Sequence, residues 1–256
     1  MGTTKLTRKE ILAEDPVHEA IVQLVEGLRV HGKKIALGIF AAAVVGIGIY
    51  FGLQYLDNRA MQAQQQLGKA IDFFHAQVAA DAPDDPYGKG PTPLFRSDAA
   101  KYVGASKEFS SIISRYGRSE AAIIARYYLG LAQIRLGQTK EAIHSLESVG
   151  NNSRDRTVEY LAKRASAMLK LNTGNHKGAQ EILESMIKDP QCKLPREDLS
   201  IQLSRVLVVQ GKRGEAIKVL REASAHPSGA SELRSQVVAE LNKLEKARTV
   251  GLENPK

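Results

Sequence analysis

The sequence predicts an all-α protein in which one N-terminal transmembrane helix is followed by a solenoid of stacked helical hairpins. Three observations carry this prediction. An unbroken apolar run extends from Ile35 to Leu56. Downstream, a glycine, a small residue and a bulky residue recur together at a constant spacing of 37 positions. The remaining apolar residues fall three and four apart, on single faces of helices.

Residues 1–34 form a head of their own. Asp15 and Pro16 have the character of a helix cap and first turn, and Val17, Ile21, Leu24, Val25 and Leu28 then share one face. Five acidic residues in the head disfavour tight adsorption to lipid, so this face is read as a contact for a partner's cytoplasmic loops.

The run from Ile35 to Leu56 has Tyr50, Gln54 and Tyr55 as its only polar side chains. Its 22 residues make a helix of about 33 Å, enough to cross a hydrocarbon core of about 30 Å. A secretory leader has an apolar region of only about 7 to 15 residues, and no small-x-small cleavage site follows Leu56. A retained anchor is therefore expected, with a buried core helix as the alternative. Six Lys/Arg precede the run, three of them within six residues of its edge, whereas the twenty residues after it carry only Arg59 and Lys69. The bias places the N-terminus in the cytoplasm and residues 57–256 across the membrane, with Tyr50 and Tyr55 in the far interfacial belt. Within the span, Gly48 and Gly52 make a GxxxG, and Gly38, Ala42 and Gly46 a second small-residue row; both are candidate helix contacts in lipid.

After the span, residues 58–80 continue as a polar helix rich in Gln and Ala that gains an apolar face through Leu67, Ile71, Phe74 and Val78. Four of the nine prolines fall in DAPDDPYGKGPTPLFRS, residues 81–97, which reads as an inserted loop.

The repeats follow. In QIRLGQTKEAIHSLESV, residues 133–149, a helix meets a glycine turn and a second helix begins. Gly137, Ala142 and Leu146 recur as Gly174, Ala179 and Leu183, and again as Gly211, Ala216 and Leu220; one step back, Ala100, Ala105 and Phe109 keep the small and bulky positions without the glycine. The glycine permits the turn, the alanine lets two helices approach, and the bulky residue fills the space between pairs. A pair this short cannot bury its apolar face alone, so consecutive pairs must stack. Leu233, Val237, Leu241 and Leu244 line one face of a closing helix over residues 229–248.

Tyr128, Leu129, Gly130, Ala132, Leu136, Gly137, Glu141, Ala142 and Ile143 resemble the tetratricopeptide family consensus, and Pro190 and Pro227 fall where its repeats often end. The later repeats depart from it, with Ser166 and Ala167, then Leu203 and Ser204, at the places of Leu129 and Gly130. The resemblance implies a tetratricopeptide-like solenoid whose first helices line a concave groove for a peptide or protein. By equivalence with that groove, Tyr127, Leu131 and Arg135 face inward in the first repeat, Arg164, Met168 and Asn172 in the second, and Ile201, Arg205 and Val208 in the third. Their mixed apolar and basic character suits extended or amphipathic segments with acidic groups.

Catalysis is not expected. His18, His31, His75, His144, His176 and His226 show no metal-ligand spacing, and HExxH, GxSxG, GxGxxG and P-loop patterns do not occur. Cys192, the single cysteine, excludes an internal disulfide and a cysteine-based zinc site. Asn151-Asn152-Ser153 matches a glycosylation acceptor, a frequent triplet. The formal charge of +8 divides into +1 before the span and +7 after it. That excess is spread over many helices with no nucleic-acid motif, and fits acidic partners or lipid headgroups rather than DNA or RNA. No cofactor or metal is expected.

The layout of the whole chain carries a further resemblance. A short head, the approach HGKK to a Gly/Ala-rich span, a Gln/Ala-rich exit and degenerate repeats are together similar to the bacterial ancillary translocon subunit family. This implies an inner-membrane, periplasm-facing scaffold associated with the protein-conducting channel and with periplasmic chaperones or emerging substrates. The alternatives are an anchored repeat receptor facing the cytosol, which the basic flank disfavours, and a coordinator of cell division or envelope assembly.

Overall fold

The structure, a computed structural model, describes residues 16–252 except 89, 118, 150–155 and 226–230, and describes no side chains for 16–31, 35 and 247–252. Asp15, the side chains of the head helix, Asn151 to Ser153, His226 and Pro227 thus lie outside the described residues. The chain divides at Asn58–Arg59 into two compact units.

Helix α1, Pro16–His75, opens with proline, whose fixed φ and missing N–H suit a first helical turn. In the first unit its apolar stretch is exposed along its length: Leu37, Ile39, Phe40 and Phe51 each expose about two-thirds of their surface. That exposure overturns the core-helix alternative, and the segment is long and apolar enough to cross a membrane.

In the second unit the end of α1 turns its Ala63, Leu67 and Ala70 into a core shared with Ala105, Phe109 and Ile112. The helix stops at His75, so Val78 does not continue the apolar face read from the sequence. Val78 instead belongs to strand β1, Gln77–Val78, which pairs parallel with β2, Leu94–Phe95. The expected loop at 81–97 therefore folds back as a short strap. Phe95 is its anchor: its ring meets Phe73 edge-on at 5.2 Å and lies so close to Gly104 that a Cβ there would be 3.1 Å from it.

Helix α2, Asp98–Tyr116, is capped by Ser97, whose hydroxyl accepts from Ala100 N–H at 3.1 Å. This explains the missing glycine at position 100: a strand and a serine cap enter this helix, where a helix-to-helix turn enters the later ones.

Three hairpins follow: α3, Glu120–Arg135, with α4, Thr139–Glu147; α5, Thr157–Asn172, with α6, His176–Lys188; and α7, Arg196–Val209, with α8, Arg213–Ala225. Each turn is the same C-terminal motif, with a glycine in left-handed conformation, φ 72° at Gly137, 84° at Gly174 and 78° at Gly211. The next residue donates its N–H back across the turn, Gln138 to Gln133 O at 2.9 Å, Asn175 to Lys170 O at 2.9 Å and Lys212 to Leu207 O at 2.8 Å. Ala142, Ala179, Ala216, Leu183 and Leu220 are fully buried, and Leu146 almost so. All nine repeated positions thus do the work their chemistry predicts. Helix α9, Ser231–Leu252, packs on α7 and α8 and inserts Val237 and Leu244 into the C-terminal core.

Candidate protein-binding groove

The residues predicted for the groove sit on α3, α5 and α7, the first helix of each hairpin, and their environments differ. Arg135, Asn172 and Arg205 are exposed. Tyr127 and Leu131 are half-buried; Tyr127 packs against the cluster of Ile123, Leu146, Val149 and Ala162 and meets Tyr128 edge-on at 5.4 Å. Burial, then the neighbouring Tyr128, push its phenol up, against a smaller downward pull from Arg164. Met168 and Val208 pack against the C-terminal core with part of their surface open. Ile201 is a member of that core, only 6% exposed, so it supports α7 rather than offering a side chain to a partner.

Arg164 is half-committed. Its guanidinium pairs with Asp198 at 3.0 Å, and Gln202 donates to the same carboxylate at 2.9 Å, linking α5 to α7. Arg135 and Arg205 form no ion pair among the described residues. Val209 was not singled out from the sequence, yet it is 57% exposed and lies one helical turn beyond Arg205. The signal available was its place at i+4 from a solvent-facing arginine, which the residue type alone conceals.

A second cluster that the sequence did not reveal ties α5 to the turn before α7. Glu159, only 2% exposed, accepts hydrogen bonds from Arg156 at 3.2 Å and from Lys163, while Tyr160 donates its hydroxyl to Asp189 at 2.6 Å. Arg156 also reaches Gln191 and lies over the Tyr160 ring. Burial alone would raise the Glu159 carboxyl, but the hydrogen bonds from Arg156 and Lys163 outweigh it and hold the group below its ordinary value. Burial and then the bond to Asp189 push Tyr160 up to about 12. A glutamate in a helical first turn gives no sequence sign that it will be buried among cations. The cluster fastens α5 to the connection that follows α6, and among the described residues no group of His, Cys, Asp and Glu could hold a metal ion.

The family described as tetratricopeptide repeat-like domain matches residues 32–198. The chain belongs to this family. The match covers the apolar segment of α1 together with the first two hairpins of this tetratricopeptide repeat-like chain, and ends as α7 begins. The third hairpin, with Gly211 in the same left-handed turn, continues the pattern beyond it. No curated protein matches the chain. Among solved structures, a variant of a Podosopora anserina kinesin light chain protein with nearly identical TPR-like repeats superposes with a TM-score of 0.51 at 15% identity, covering 76% of this chain and 90% of that one. This likeness extends to the fold of the repeats. Such repeats serve as protein-interaction scaffolds and are typically non-catalytic.

Proposed function

We propose that this chain is a membrane-anchored, non-catalytic scaffold that serves as an ancillary subunit of the protein-export translocon, with its repeats in the periplasm. The observation that supports the reading is the coupling of two features in one family match: an exposed apolar helix long enough to span a bilayer, and tetratricopeptide-like hairpins. The basic residues that crowd the start of the span, including Lys33 and Lys34, favour a cytoplasmic N-terminus. The partner-binding surface of this reading is the groove of Tyr127, Leu131, Arg135, Met168, Asn172, Arg205 and Val208, extended by Val209. Its open arginines favour segments that combine apolar residues with acidic ones, as extended clients or chaperone tails present them.

Protease accessibility in spheroplasts of the producing cell tests the topology. Digestion of the segment after Asp57 from outside is the expected result, and photo-crosslinking from Arg205 to the channel or to an emerging substrate is the second. Protection that ends only when the membrane is opened would place the repeats in the cytosol and remove the translocon role.

A further inference from the structure

Three arginines far apart in the sequence meet at one end of the second unit. Arg59 on α1 donates from its guanidinium to Arg115 O at 2.6 Å, and Arg126 on α3 donates to Gly117 O at 3.0 Å. Both bonds cover the C-terminal end of α2, whose last carbonyls find no acceptor role within the helix. Left bare, that end would carry partial negative charge. Two guanidiniums reverse its sign, and Arg115 stands exposed beside them.

The level of this end relative to a bilayer follows from α1. Arg59 is three residues beyond Leu56, the last residue of the apolar run, and α1 is unbroken there. Three residues rise about 4.5 Å. The headgroup layer extends about 5 to 7 Å beyond each face of the hydrocarbon core, so Arg59 falls within it. Helical side chains lean toward the N-terminus of their helix, which for α1 is the side of the span, so the Arg59 guanidinium is directed back toward the bilayer. Arg115 O, hydrogen-bonded to that guanidinium, is held at the same level. Helix α2 runs antiparallel to this part of α1, since Arg59 meets Arg115 at one end and Phe74 meets Tyr102 at the other. Its C-terminal end is therefore the one presented to the headgroups.

The exposed charge there is one-sided. Arg115 and Arg126 form no ion pair among the described residues, and Arg115 donates no side-chain hydrogen bond among them. A guanidinium has five N–H donors in a fork that fits phosphate, so most of this donor capacity is open. Asp57 precedes Arg59 by two residues and lies on another side of α1. Glu120, at the start of α3, is half-buried and already engaged. Glu108 shares the face of Arg115 but stands two turns away along α2, about 10 Å, which exceeds the screening length of about 8 Å. The connection between α2 and α3 adds a fourth arginine to the sequence, Arg118.

We infer that this end of α2 is a second membrane contact, in which Arg115 and Arg126, brought to the surface by Arg59, bind the phosphates of anionic phospholipids in the leaflet that α1 leaves. The contact makes the start of the repeats responsive to lipid charge, where the apolar span alone responds to bilayer thickness. The inference rests on the anchored part of the reading above, and on neither the side of the membrane nor the translocon role.

Alkaline extraction of the producing cell's membranes separates the two. A chain released by alkali would sink the anchor and this contact together; a chain that stays leaves the contact to be tested alone. The full chain is then placed in nanodiscs of phosphatidylcholine, or of phosphatidylcholine with about a third phosphatidylglycerol. In a Cys192→Ser background a fluorophore is attached at Ser114→Cys, exposed in the last turn of α2, or for reference at Lys177→Cys, exposed beside the Gly174 turn. Quenching by a headgroup nitroxide should be at least about twofold stronger at position 114 in the anionic discs than in the neutral ones. It should fall to the neutral level in high salt and in Arg115→Glu, which keeps the backbone carbonyl that Arg59 uses and should leave helicity unchanged. Position 177 should not respond. Equal quenching in the two lipids, or quenching indifferent to Arg115→Glu with helicity intact, would overturn the inference. Photo-crosslinking from position 114 in native membranes should label lipid; a polypeptide adduct in its place would overturn the inference in favour of an acidic protein.

Discussion

The Cβ that Gly130 lacks would lie 2.7 Å from Cγ of Leu146, which is itself 2% exposed, so the first hairpin closes only because position 130 carries no side chain. In the next two hairpins the same place is taken by Ala167 and Ser204, both fully buried, and the bulky partner by Leu183 and Leu220. Those hairpins accommodate a Cβ where the first does not.

Gly130→Ala should therefore destabilise. Overpacking of a filled site costs about 1 to 3 kcal/mol, and the better helix propensity of alanine returns about 1 kcal/mol. A net loss of up to about 2 kcal/mol is expected in urea unfolding followed by far-UV circular dichroism. A variant as stable as the native chain would mean that the two helices move apart without cost.

At the hairpin turns, replacing Gly137, Gly174 or Gly211 by alanine forces an L side chain into the left-handed region at about 1 to 2 kcal/mol each. Asparagine tolerates that region and should cost less at every site. If alanine and asparagine proved equivalent in chemical denaturation, turn conformation would not be what selects these glycines.

The hairpin fastening predicts a response to alkali. The Tyr160 phenol is raised from 10.0 to about 12 in the folded chain, so its contribution is fully present below pH 10 and is lost as pH climbs toward 12. Tyr160→Phe should cost about 1 kcal/mol at neutral pH by removing the phenol that donates to Asp189, which keeps the Gln191 N–H, and should flatten the alkaline limb of the stability curve. An unchanged limb would exclude Tyr160 as its source.

On the acid side, the Glu159 and Asp189 carboxyls are both held below their ordinary values, the first by Arg156 and Lys163 against its burial and the second chiefly by Tyr160. Their contribution is present above the usual carboxylate range, about pH 4, and disappears as pH falls through the depressed values. Thermal melts of Glu159→Gln between about pH 2 and 7 should show a shallower acid limb together with a lower plateau, because the glutamine leaves Arg156 and Lys163 without their counter-charge.

In the groove, Arg205→Glu should reduce photo-crosslinking of an acidic, apolar polypeptide from a probe at Val209 several-fold without loss of helicity. Arg164→Glu is the less selective probe. It would face Asp198 across the 3.0 Å now bridged by the ion pair and lower stability as well as binding. Crosslinking that survives Arg205→Glu would remove that residue from the surface.

The repeats were legible because their signal is local. A left-handed turn needs glycine, a close helix contact needs a small residue, and both needs recur wherever the hairpin recurs; hence the three turn glycines and their buried partners could be named from spacing alone. The apolar segment was legible for the same reason, its 22 residues needing no partner to be recognised. Val78 was misplaced because helical spacing cannot register where a helix stops, and it stops at His75 where the strap pairs β1 with β2. Ile201 was read as groove-facing because periodicity fixes the angle around α7 but not how much neighbouring helices cover.

The sequence by itself determined the apolar span, the hairpin period and the three repeated turns at Gly137, Gly174 and Gly211, since each depends on residues a few positions apart. Tertiary structure alone decided which arginine is held by Asp198, which glutamate is buried under two cations, and which tyrosine reaches Asp189. Arg164 and Asp198 are 34 positions apart and Tyr160 and Asp189 are 29, while Glu159, whose two cations are only three and four residues away, is buried by packing that those local residues do not supply. Only the stacking of one hairpin on the next brings such residues within reach, and only there do burial and charge choose between identical places in the repeat.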